Sequence, residues 1–310
     1  MENKNNMKLY NEIELNRKQS NFEWLNHYAN EGVLFWFMVQ SIVNSRDMNN
    51  IKLHFQIPKE IKKVKDVCEY IYSRLFIDNV IQNKVLDYIN LNFKKTDLGS
   101  IVGELSKFSS FEWGGDYQGS LEKSLVKKYI KDEKDLLNNK ENILNETINY
   151  LMASKYNYLC SKLTENLFYN HPSVVPTINK IKDVDFFVGN HFWDLKQTIL
   201  PKGYLDKLKK ETTFNLDKVI SNVKENPTSL IKWLYENQGE MRFSSENRLF
   251  MIFVNKNEYE KSWKLKSDKQ KLEVKINNFL SNNFITYDID FKFKGKNYKA
   301  KSSLIIIDNE

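Results

Sequence analysis

Two acids and a lysine near the middle of the 310-residue chain have the types and spacing to do chemistry. The stretch Asp183 to Thr198 reads DVDFFVGNHFWDLKQT, β-branched and aromatic on both sides of Gly189-Asn190. That is the pattern of a β-hairpin with a two-residue turn. Such a turn sets Val188 opposite His191, Phe187 opposite Phe192, Phe186 opposite Trp193 and Asp185 opposite Asp194. Because strand side chains alternate, Asp183, Asp185, Asp194 and Lys196 then project to one face. Phe186, Trp193 and Leu195 form the other, core-facing side. Two carboxylates across a ladder sit ~5 Å apart and repel. A divalent cation between them removes the repulsion, and carboxylate oxygens suit Mg2+, which takes one or two protein carboxylates plus substrate phosphate oxygens. Lys196 shares the face and can orient an attacking water or stabilise negative charge in a transition state. Two acids, a lysine and a metal are the parts that phosphodiester hydrolysis needs.

The same residues resemble the motif of the PD-(D/E)XK nuclease superfamily, the fold of many type II restriction endonucleases. That motif is an acid at the start of one strand, a turn, then (D/E)XK on the next. It maps onto Asp185 and onto Asp194-Leu195-Lys196, with Val184 where the family's proline stands. DLKQTILPKGY and WLYENQGEMRFSSENRLFMIFVN extend the resemblance over roughly residues 160–265. It implies Mg2+ held by Asp185 and Asp194, with the Leu195 carbonyl as a further ligand and Lys196 positioning the hydroxide. The superfamily often adds a glutamate from the preceding helix, which points to Glu165, with Glu122 the competing candidate. Double-stranded DNA as substrate and a homodimer cutting both strands at a palindromic site are implied as well. Two alternatives stay open: a repair or phage-defence nuclease that prefers structure to sequence, and a DNA-binding protein on an inactive nuclease-like core. Intact Asp185, Asp194 and Lys196 speak against the second.

The elements that must position these groups change in texture along the chain. The first 170 residues read as helical: VLFWFMVQSIV at 33–43 is a buried helix, and Ile61, Val64, Val67, Ile71 and Leu75 recur at three-to-four spacing, with Val85, Ile89 and Phe93 continuing the pattern. A Gly-rich break at 113–119 precedes a helix for which Ser120 is the N-cap. A longer helix follows over about 142–168. Pro172, Pro176 and Pro201 bracket the hairpin; helices are predicted over 204–225 and 228–237, a buried strand over 248–255, a helix over 268–281, and a second hairpin turning near Gly295. The expected fold is α/β (mixed α+β): a restriction-endonuclease-like core, a mixed central sheet flanked by helices. Residues 1–140 are read as a mainly helical region for DNA wrapping, recognition or dimerisation, and 141–310 as the nuclease core with its C-terminal hairpin.

Composition excludes several classes. Apolar residues make up 41% and aromatics 14%, enough for a packed core in spite of a mean hydropathy of −0.58. Cys68 and Cys160 are too few and too far apart for a disulfide framework or a cysteine zinc site, and suit a reducing cytoplasm. The N-terminus is too polar for a signal peptide, and the most apolar run is about half the ~20 residues of a membrane span. The net charge of +7, from 47 basic and 40 acidic residues, fits a polyanion partner and equally an ordinary soluble enzyme. Nearly all the cations are lysines, clustered at 60–65, 123–134, 207–210 and 264–275. Against that background Arg242 and Arg248 suggest bidentate contact with DNA phosphate or guanine, or pairing with Glu240 or Glu246. His191 is read as a turn residue and Gln197 as a packing residue.

Overall fold

The computed structural model describes Leu15, Trp113 and residues 31–75, 79–108, 121–130, 133–181, 184–189, 191–211, 215–237, 247–282 and 284–309. Among these, the strand most easily explained is Arg248–Val254, in which all seven residues are buried. A continuous apolar run is what a strand needs when it has parallel neighbours on both sides and helices on both faces. It is the fourth of six strands: β1 (Val174–Ile181), β2 (Val184–Val188), β3 (His191–Ile199), β4 (Arg248–Val254), β5 (Tyr287–Phe293) and β6 (Lys296–Asp308). They form one mixed sheet in the order β1-β2-β3-β4-β6-β5. β1, β2 and β3 are antiparallel, β3, β4 and β6 are parallel, and β5 turns back antiparallel on β6. The molecule is therefore mixed α/β, a six-stranded sheet with helices around it.

The chain divides into two compact units, one comprising Met1–Lys95 with Leu167–Glu310 and the other Thr96–Asn166. In the first, α1 (Glu31–Ile42) packs on β1, and α2 (Met48–Phe55), α3 (Val64–Leu75) and α4 (Asn79–Asn92) complete a cluster with it. Trp36, Ile71 and Val85 of that cluster meet Phe187 and Phe192 of the hairpin, and the Phe37 and Phe192 rings lie 4.7 Å apart. Aromatic pairs at such distances add about 1 kcal/mol beyond the area they bury. The periodicity that runs on from Leu75 to Val85 and Ile89 belongs to two helices, α3 and α4, rather than one.

The second unit holds α5 (Leu98–Ser106), α6 (Leu121–Tyr129), α7 (Glu133–Asn138) and most of α8 (Lys140–Tyr169). Asp97 caps α5 by accepting from the amides of Gly99 and Ser100, and Thr96 N donates to Asn166 Oδ1 at 3.0 Å. Ser120 and most of the Gly-rich segment lie outside the described residues.

After β3 the first unit continues through α9 (Lys202–Glu211), α10 (Leu216–Glu225) and α11 (Thr228–Glu236), which lead into β4. A 3-10 helix (Tyr259–Ser267) and α12 (Lys269–Ser281) then lead to β5. A second apolar cluster joins Leu230, Ile231 and Tyr235 of α11 to Phe250 and Ile252 of β4 and Phe291 of β5. β1 lies where a Pro-marked approach to the hairpin was expected. It is an edge strand, and Pro176 pairs with Phe186 there because an edge tolerates a missing N–H.

The far end of β6 is tied down by charge. Asp308 is fully buried; Lys224 donates to it at 2.7 Å, with Lys275 at 3.4 Å and Lys256 at 3.8 Å. Burial pushes its carboxyl upward, but the Lys224 hydrogen bond and the nearby Lys275 outweigh that and hold it below the usual carboxylate range. A depressed folded-state value contributes stability above the unfolded-state value near 3.8 and loses it as pH falls through the folded one. Thermal unfolding from pH 6 to pH 2 is thus expected to show a steep loss below about pH 4. Asp308→Asn should be about 2 kcal/mol less stable at neutral pH and lose less on acidification. A wild-type and variant pair with parallel pH profiles would contradict this.

Candidate active site

The β2–β3 hairpin has the register that a two-residue turn dictates, with Phe186 opposite Trp193, Phe187 opposite Phe192 and Val188 opposite His191. Gly189 enters the turn at φ +56°, in the left-handed region that glycine occupies without penalty. Asn190 and Asp183 lie outside the described residues. Beyond the paired positions, Asp185 Oδ2 accepts the Leu195 amide at 2.8 Å, so the first acid grips the backbone one residue past the second. Its own carbonyl accepts from Thr177 Oγ1 at 2.9 Å and Tyr169 Oη at 3.3 Å. Asp185 is thereby fixed by β1, β3 and the end of α8.

Sequence alternation put the acids on an open face and the aromatics on a closed one. In the structure both faces near the turn are closed: Phe186 and Trp193 are fully buried on one, Phe187 and Phe192 are buried on the other. Asp194 itself is only 4% exposed. The strand opens just beyond it, where Leu195 is half-buried and the Lys196 side chain is 46% exposed. The acid face carries the N-terminal cluster at Phe187 and Phe192 and the second cluster at Phe250, and Asp194 and Lys196 fall between the two.

A buried carboxylate is tolerated only where cations and donors offset its desolvation. Lys196 Nζ donates to Asp194 Oδ1 at 2.8 Å, and Arg248 Nε lies 3.4 Å from Oδ2. The parallel register makes the second contact, since Arg248 is the residue directly across from Asp194 on β4. Arg248, expected at DNA phosphate or guanine or in a carboxylate pair, is itself only 6% exposed and lies beside the Asp194 carboxylate. Its Cζ sits 5.4 Å from the centre of the Tyr235 ring. Burial pushes the Tyr235 hydroxyl upward, Arg248 opposes this, and the phenol stays neutral. Asn247 carbonyl accepts the Asp194 amide at 2.9 Å, and Ser302 Oγ donates to the Arg248 carbonyl at 2.8 Å. Tyr235, Asn247 and Ser302 thus support the site without having been visible in the sequence.

Asp185, Asp194, Leu195, Lys196 and Arg248 are brought together in the first unit. Glu165 belongs to the second unit, is half-buried, and pairs with Lys162 at 2.5 Å. Glu122 falls on α6, with its side chain outside the described residues, as is all of Arg242. His191 is held below the usual histidine range by burial and by Lys301, against the pull of Asp288, so it is uncharged at neutral pH. Gln197 is half-buried, with neither amide atom hydrogen-bonded among the described residues.

Comparison with protein-family models, curated proteins and solved structures finds no match. The chemistry of the site must be read from its own groups. No set of three His, Cys, Asp or Glu side chains converges among the described residues. Mg2+ needs fewer protein ligands than that, one or two carboxylates with the remaining positions filled by water and substrate oxygens. Asp194 Oδ2 is buried and, with Arg248 Nε 3.4 Å away, accepts no hydrogen bond among the described residues, which leaves it a lone pair for such a cation. No helix among them is long and apolar enough to cross a membrane.

Proposed function

We propose that the chain is a Mg2+-dependent DNA endonuclease with a restriction-endonuclease-like core, cutting double-stranded DNA at a specific site as a homodimer. The observation that carries this reading is the buried Asp194, with Lys196 on one oxygen and the Asp185 carboxylate anchored one residue away. Supporting it are the strand pair that carries both acids and the parallel central strand β4 that follows it after three helices. Mg2+ bound between Asp185 and Asp194, with the Leu195 carbonyl, would polarise the scissile phosphate and acidify a water.

The chain's own groups do the rest. Lys196, half in solvent, orients the attacking water and offsets charge on the phosphate oxygens as they become more negative. The new bond is from water oxygen to phosphorus, and the bond that breaks is from phosphorus to the leaving sugar oxygen, which takes up a proton. Arg248 holds Asp194 in place from the buried side, so that its charge stays directed at the opening. Thr198, two residues on, lies half-buried on the same face.

Purified protein incubated with mixed plasmid or phage DNA and Mg2+ is expected to give discrete fragments, and EDTA to prevent them. Fragments without preferred ends would favour a structure-directed nuclease. No cutting with Mg2+ or Mn2+, together with firm DNA binding, would favour an inactive nuclease-like core.

A further inference from the structure

The β5–β6 hairpin does more than close the sheet. Arg248, Asp194 and Ser302 are level with one another across β3, β4 and β6. Residues Lys296 to Lys301 lie ahead of that level and pair only with β5. At about 3.3 Å per residue the tip stands about 20 Å beyond the level of Asp194, at the same end of the sheet as the β2–β3 turn. The turn is made by Lys294 at φ +47° and Gly295 at φ +82°.

The projecting part is rigid below and cationic outside. Phe291 stacks on Tyr235 at 4.5 Å and on Tyr298 at 5.6 Å, and Phe293 is buried in the same cluster. The outer edge of β5 is held where the Lys292 amide donates to Glu236 Oε1 at 3.2 Å. Lys292, Lys294 and Lys296 are exposed, and among the described residues none has a carboxylate in ion-pair range. Lys299 has Asp290 at 3.8 Å, and Lys301 has Asp288 at 2.8 Å. Lys232 of α11, 4.0 Å from Glu236, reaches the same edge. A cavity of about 400 Å³ lies there, lined by Lys232, Asp290, Lys292, Asn297, Tyr298 and Lys299 together with Phe291. Three carboxylates, Asp288, Asp290 and Glu236, face six lysines along this edge and tip.

A lone phosphate or mononucleotide held at Asp194 would not reach lysines that far away. A polymer of phosphates would, because duplex DNA carries a charge every ~1.7 Å along its axis. Its major groove, ~12 Å wide, also admits a two-stranded ribbon. Lysine suits backbone contact as a compact point charge on a flexible stem. We propose that the β5–β6 hairpin, with Lys232 beside it, is an arm that holds the sugar-phosphate backbone of duplex DNA about 20 Å from the scissile phosphate. The inference rests on the nuclease reading of Asp185, Asp194 and Lys196, and adds a substrate contact that those residues do not supply.

The test is binding of a labelled duplex in EDTA, read by fluorescence anisotropy between about 50 and 200 mM salt. The variant carries Lys292→Gln, Lys294→Gln and Lys296→Gln, all at exposed positions, and is compared with the triple Lys→Arg variant. The glutamine variant is expected to bind at least about tenfold more weakly, with a plot of log affinity against log salt shallower by about 2–3. The arginine variant should keep the wild-type slope. A glutamine variant with unchanged affinity and slope overturns the arm, and so does an arginine variant that loses as much as the glutamine one. Wild-type protein that binds no duplex at 50 mM salt overturns it as well. If the wild type cuts DNA but the slope ignores the lysines, the arm falls and the nuclease reading stands. If the wild type fails to cut but binds with a lysine-dependent slope, the nuclease reading falls and the arm stands.

Discussion

Asp194→Asn is expected to slow DNA cleavage by about 10³-fold or more while leaving duplex binding in EDTA within a few-fold of wild type. The amide keeps the shape of the carboxylate and can still accept from Lys196, so the local geometry is kept, while the buried Arg248 loses its counter-charge and stability falls. What it loses is the negative charge directed at the opening between the two apolar clusters. Lys196→Ala should lose cleavage to a similar degree for a different reason. Its side chain is half exposed, and its removal strips from the site the positive charge that faces the opening while leaving Arg248 on Asp194. Single-turnover cleavage rates alongside EDTA binding separate the two effects. If both variants cut like wild type, the site lies elsewhere on the chain.

The second large effect is on stability. Arg248→Ala should destabilise the protein by about 3–5 kcal/mol, because it leaves a 4%-exposed carboxylate without its guanidinium. A double change removes both halves of the problem. In Asp194→Asn with Arg248→Met neither a buried charge nor its partner remains, and the thioether stem still fills space against the Tyr235 ring. The double variant is therefore expected to be more stable than Arg248→Met alone, and urea unfolding of the wild type, Asp194→Asn, Arg248→Met and the double variant should show a coupling of about 1–3 kcal/mol. Additivity within about 0.5 kcal/mol would mean that Arg248 is not what balances Asp194. The double variant should also be inactive, so stability and activity would part company at one residue pair.

Local rules went far with this chain. Gly189-Asn190 between aromatic runs was enough to set the hairpin register, because a two-residue turn leaves little choice. The apolar run of β4 and the C-terminal hairpin at Gly295 were equally legible, each being a matter of neighbours in sequence. β1 was not legible: VVPTINKI is an edge strand with a proline and three polar residues, mostly half-buried, and lacks clean alternation. The burial of Asp194 was hidden for another reason. Alternation assumes one wet face, and that assumption fails once β4 lies parallel beside β3 and helices cover both sides. Arg248 and Tyr235 reach the site across 54 and 41 residues of chain, distances at which spacing carries no information. The role of Arg248 follows from the parallel register of β3 and β4, which three helices separate along the chain.

The first apolar cluster also has a history during synthesis. Its helical half, from Leu34 to Ile89, leaves the ribosome before Thr96, whereas Val184, Phe187 and Phe192 emerge about 100 residues later, after the whole of the second unit. At translation rates of about 5–20 residues per second, that is a wait of about 5–20 s with an unfinished apolar face. The inserted unit has all of its own chain in hand well before then. The nascent protein thus completes its middle before its beginning, and the acids of β2 and β3 arrive with the strands that close the first cluster.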